Sequence, residues 1–105
     1  MKNAALILLA LLAASALSHS RAHAVPAGQA CGGEAGAVCD KGLWCDPPTG
    51  DCASTAGVCV AIPRWCVARK RSKTFKPVCG CNGKTYSGDC FRRADKVAKL
   101  HDGKC

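Results

Sequence analysis

The sequence is poor in aromatic residues, in histidine and, over a long central stretch, in negative charge. Its aromatics are Trp44, Trp65, Phe75, Tyr86 and Phe91. So few large apolar side chains on so short a chain cannot build a core sufficient to hold a fold by itself. Only 3 histidines occur, and beyond residue 24 His101 is the single one. Together with the absence of a glycine-rich phosphate loop and of metal-ligand spacing, this excludes most catalytic constellations, and the chain is expected not to be an enzyme and to need no cofactor. After the apolar run from Ala4 to Leu17 no further long hydrophobic stretch appears. That run is short of the about 20 residues a membrane span requires, so no spanning segment is expected.

The same run explains the N-terminus. Lys2 precedes it, and Ala22-His23-Ala24 follows with small residues where signal peptidase needs them. A leader over residues 1–24, cut after Ala24, is expected, and with it a secreted, extracellular or periplasmic product.

What the chain has in abundance is cysteine. All ten (Cys31, Cys39, Cys45, Cys52, Cys59, Cys66, Cys79, Cys81, Cys90 and Cys105) follow the leader. An exported chain meets an oxidising compartment, so five disulfides are the expected scaffold. Zinc is the competing use of clustered cysteine, and Cys79-Gly80-Cys81 invites it. Structural zinc sites favour C-x-x-C pairs with histidines in reduced compartments, and no metal is expected here.

The formal net charge is +8. No Asp or Glu lies between Asp51 and Asp89, whereas Arg64, Arg69, Lys70, Arg71, Lys73, Lys76 and Lys84 all do. The patch of Arg69, Lys70, Arg71, Lys73 and Lys76 would attract polyanions through a salt-sensitive Coulomb term, without specific nucleic-acid recognition. A solvated basic loop is the alternative reading, and Arg69-Lys70-Arg71 as a processing site is a third.

Along the chain, residues 25–60 form a loop-rich, cysteine-rich segment in which Leu43 to Cys45 and Val58 to Val60 are candidate strands across the Pro47-Pro48-Thr49-Gly50 turn. Residues 61–76 read as an exposed extended loop. Val78 to Cys81 and Lys84 to Tyr86 flank Asn82-Gly83, which suits a type I′ hairpin. From Asp89, a plausible N-cap, the spacing of Phe91, Ala94, Ala98 and Leu100 predicts a helix that Gly103 ends. The expected fold is a small disulfide-rich α+β unit, with a short hairpin or sheet and one C-terminal helix, and a monomer.

Pro77-Val78-Cys79-Gly80, Asn82-Gly83-Lys84-Thr85-Tyr86, Cys90 and Gly103-Lys104-Cys105 together resemble the signature of Kazal-type serine protease inhibitors, over residues 61–105. The resemblance implies bridges Cys66 with Cys90 and Cys79 with Cys105. It also implies an exposed substrate-like loop between Cys66 and Cys79 that enters a protease active site. Counting back from Cys79 puts Lys73 at the specificity position and Thr74 after the scissile bond. Counting forward from Cys66 gives Ala68 instead, and Arg71 is a further basic alternative. Lys73 implies a trypsin-like or basic-specific subtilisin-like serine protease as partner. The alternative function is a binding module whose basic loop contacts polyanions or a protein.

The sequence departs from the family in four places. The loop is longer than usual, Gly88 replaces an asparagine that braces the loop, Arg93 replaces a cysteine, and Cys81 is extra. The N-terminal half, through Cys31-Gly32-Gly33, Cys39, Gly42-Leu43-Trp44-Cys45 and Gly57-Val58-Cys59, is similar to part of an insulin-like growth factor-binding module. That similarity implies Cys31 with Cys45 and Cys39 with Cys59, which leaves Cys52 for Cys81.

Overall fold

The computed structural model describes residues 23–68, 73 and 75–105. All but the last two positions of the expected leader, and Arg69, Lys70, Arg71 and Thr74 of the expected site, lie outside the described residues.

Glycine, proline and cysteine interrupt the chain so often that every element is short. The N-terminal half carries β1 (Ala24–Val25), β2 (Ala30–Gly32), β3 (Val38–Cys39), β4 (Leu43–Asp46) and β5 (Ala56–Ala61). The C-terminal half carries β6 (Val78–Gly80), β7 (Thr85–Tyr86), α1 (Asp89–Ala94) and β8 (Lys99–Asp102). None of the described helices is long and apolar enough to cross a membrane.

In the first half β5 is the central strand of an antiparallel sheet ordered β2-β5-β4. Its alternation sets Cys59 opposite Cys45 on one face, and Val58 and Val60 opposite Asp46 and Trp44 on the other. Gly57 permits this pairing. A Cβ there would lie 2.2 Å from the Asp46 carbonyl oxygen, so any side chain would force β4 and β5 apart. Beside the sheet, β1 runs parallel to β3, with Ala24 opposite Val38.

Bridges Cys31–Cys45 and Cys39–Cys59 tie β2 to β4 and β3 to β5. They abut: the Sγ atoms of Cys31, Cys39 and Cys45 lie within 4.8 Å of one another. Cys52–Cys81 joins the two halves, Cys66–Cys90 ties the long loop to α1, and Cys79–Cys105 fastens β6 to the last residue. The buried apolar positions are Cys31, Cys59, Val78, Cys79 and Tyr86. Bridge sulfur thus fills much of the interior, as the scarcity of large apolar side chains requires.

The second half is a sheet ordered β7-β6-β8 with α1 against it. The β6–β7 hairpin pairs Val78 with Tyr86 and Cys79 with Thr85. Its turn differs from the expected type I′ form, which needs two successive residues at positive φ. Only Gly83 is there, at φ 78°. The Gly83 N–H donates to the Gly80 carbonyl at 2.9 Å and the Gly80 N–H to the Lys84 carbonyl at 2.9 Å, the pattern of a longer turn with a glycine bulge. The Asn82 carboxamide secures it, accepting from the Lys84 N–H at 3.1 Å and donating to the Tyr86 hydroxyl at 2.9 Å.

The helix is also shorter than its sequence spacing predicts, and Asp89 is its first residue rather than its cap, a place taken by Gly88. After Ala94 the chain turns through Lys96 at φ 54°. Lys99–Asp102 then pair with the second edge of β6, setting Val78 against Asp102 and Cys79 against His101. The backbone groups of that edge would otherwise be unpaired, and satisfying them outweighs continuing a helix. Leu100, expected on the helix's apolar side, is 40% exposed on the strand.

Candidate functional site

The segment between Cys66 and Cys79 leaves the body at one bridge and returns at another. At its start Cys66 is bonded to Cys90 in α1. At its end Pro77 leads into the fully buried Val78 and Cys79, and Cys79 is bonded to Cys105. Phe75 and Pro77 are half-buried and line a cavity of about 320 Å³ with Tyr86 and Ser87. The returning limb is thereby packed onto the hairpin. Lys73 and Ala68, one in each register for the specificity position, are both exposed. Gly88 passes beside this limb: a Cβ there would sit 3.8 Å from the Lys76 carbonyl oxygen. A side chain at Gly88 would therefore have room beside this limb.

Between β4 and α1 lies a charged clamp that sequence reasoning missed. Arg92 is 3% exposed and its partner Asp46, at the end of β4, 9% exposed. Arg92 Nη1 donates to Asp46 Oδ1 at 3.0 Å and to Oδ2 at 3.1 Å, and Nη2 donates to Oδ2 at 3.1 Å. Its Nε donates to Asp89, and Nη1 also reaches the Val97 carbonyl at 3.2 Å, closing the helix end. A buried guanidinium is tolerable only with its donors used in this way. Arg93 points its Nε toward the same carboxylate at 3.6 Å, beyond hydrogen-bond reach. Lys99 Nζ lies 3.5 Å from Asp89 and 3.0 Å from Asp102. Its carbonyl accepts from the Gly50 N–H at 2.9 Å.

Among the described residues the two halves are joined by the Cys52–Cys81 bridge, by the Gly50–Lys99 backbone hydrogen bond and by the buried Asp46–Arg92 pair, with Arg93 as a second cation near Asp46. Arg92 stands two residues from Cys90, the anchor of Cys66. The available signal was the Arg92-Arg93 doublet within the predicted helix. Its partner, 46 positions away, had none.

Burial pushes the Asp89 carboxyl up, but the Arg92 hydrogen bond and the charges of Arg92, Lys99 and Arg93 outweigh it and hold it below its ordinary 3.8. A carboxyl depressed on folding contributes stability that is complete above its unfolded value and lost as pH falls through the lower folded one. Asp89→Asn should therefore lower the thermal midpoint at pH 7, and the gap to the parent should close in acid below the ordinary carboxylate range. Midpoints measured by circular dichroism between pH 7 and pH 2 check this. A gap constant with pH would show that the charge of Asp89 contributes nothing.

A segment tied at both ends by bridges to a three-stranded sheet and one short helix is the arrangement of the C-terminal part. This part, residues 65–105, matches the family model of the Kazal-type serine protease inhibitor domain.

Proposed function

We propose that the chain is exported and inhibits a serine protease of trypsin-like or basic-specific subtilisin-like preference, acting as a monomer through the loop between Cys66 and Cys79. The observation that carries this reading is the anchoring of both loop ends on one body, by Cys66–Cys90 and Cys79–Cys105, with Lys73 exposed between them. A loop whose two ends are held by bridges loses less conformational entropy when a protease seizes it than a free segment would, so more of the contact energy appears as affinity. Lys73 would fill a specificity pocket with an acidic floor, and Thr74 would supply the amide of the scissile bond. If that bond is cut, the two bridges keep the new ends together and favour resealing.

The test is a titration of trypsin and of a subtilisin-type protease with the oxidised protein lacking its leader. Residual activity and the state of the Lys73–Thr74 bond are followed together, the latter by mass spectrometry. Stoichiometric loss of activity with the bond largely intact is the expected result. Rapid cutting anywhere between Arg69 and Lys76 without inhibition would overturn the proposal.

A further inference from the structure

Trp65 and Val67 flank Cys66 and are 77% and 60% exposed. An indole so open to water on a chain with so few aromatics forgoes burial where burial is scarce. It does not stand alone. Val67 and Phe75 line one depression of about 200 Å³ together with Phe91, so aliphatic and aromatic surface gathers at the base of the loop. Lys76 lines the same depression, Arg64 and Lys73 are exposed, and Arg69, Lys70 and Arg71 stand between them in the sequence. A protease specificity pocket takes one cation, which leaves the others unassigned.

We infer that the pole bearing Trp65, Val67 and the basic loop docks on an anionic lipid surface. Trp65 and Val67 enter the headgroup region while Arg64, Lys73 and Lys76 lie against lipid phosphates. Indole is amphipathic and settles at such interfaces, and each nearby cation adds attraction to a negative leaflet. A soluble polyanion would use the cations alone, and the aliphatic Val67 beside the indole favours a lipid. The inference goes beyond the inhibitor reading and adds a consequence to it. The docked pole carries Lys73, so membrane and protease would compete for it.

The probe is tryptophan emission of the oxidised protein with phosphatidylcholine vesicles, with and without about a third phosphatidylglycerol. Trp44 is half-buried and emits as well, so Trp65→Ala is measured in parallel, with circular dichroism to show that it folds. Expected are a blue shift with the anionic vesicles only, its loss in Trp65→Ala, and weakening by salt. Lys76→Ala should reduce vesicle affinity about fivefold. No shift, an equal shift with neutral vesicles, or a shift retained in Trp65→Ala would overturn the inference. So would a response confined to a short oligonucleotide. Inhibition assayed without vesicles is unaffected by any of these outcomes, so failure of the lipid reading and failure of the inhibitor reading are distinguishable.

Discussion

Asp46→Ala is expected to destabilise the protein by about 3–5 kcal/mol, because it strands a buried arginine without its principal partner. Arg92 has no exit to solvent at 3% exposure, and its remaining acceptors, Asp89 and the Val97 carbonyl, leave Nη2 unpaired. For a fold of this size such a loss is a large part of a total stability of about 5–15 kcal/mol. The attraction between Asp46 and Arg92 is not itself the stabilising quantity, since desolvating both charges offsets much of it. The double substitution Asp46→Ala with Arg92→Met should accordingly cost less than Asp46→Ala alone. Denaturant unfolding with the bridges intact measures both. A single-substitution cost below about 1 kcal/mol would place the pair in the class of solvated surface ion pairs and deny it a clamping role.

The clamp gives a physical role to the N-terminal half. Asp46 on β4 is held by Arg92 of α1, the helix that also holds Cys66 through Cys90. The Cys52–Cys81 bridge ties the same two parts of the chain covalently.

How much of this was legible in the sequence follows from the range over which each determinant acts. The disulfide scaffold followed from cysteine abundance and the expected leader, and the β6–β7 hairpin from Asn82-Gly83 between two candidate strands. The pairing of Leu43 to Cys45 with Val58 to Val60 followed from a turn between two candidate strands. All are local signals. The course of the chain after Ala94 was not legible, because Ala98 and Leu100 fit a helical period as well as a strand. The choice between them is made by the open edge of β6, some twenty residues earlier in the chain. The Asp46–Arg92 pair was hidden for the same reason: nothing near either residue announces the other. The hairpin turn failed more narrowly, where an Asn-Gly step compatible with two turn forms took the one in which Asn82 could hold Lys84 and Tyr86.

Lys73→Glu is expected to weaken inhibition of a trypsin-like protease by about a thousandfold or more. The specificity pocket of such a protease has an acidic floor that pairs with a desolvated lysine. Removing one partner of such a pair costs about 2–5 kcal/mol, a like charge in its place adds to that, and about 4 kcal/mol corresponds to a thousandfold. The side chain is exposed in the free protein, so stability should hardly change and the loss can be read as binding. Arg71→Glu and Ala68→Glu serve as the register controls. With Lys73 in the pocket each should shift the inhibition constant by no more than a few fold, the size of an exposed rim charge. If Ala68→Glu carried the large loss instead, the register would run forward from Cys66, and the extra loop residues would lie after the scissile bond rather than before it. That outcome would also move the basic run to the leaving side of the bond, where it would meet the protease surface outside the specificity pocket, and the preference for a basic-specific target would fall with it.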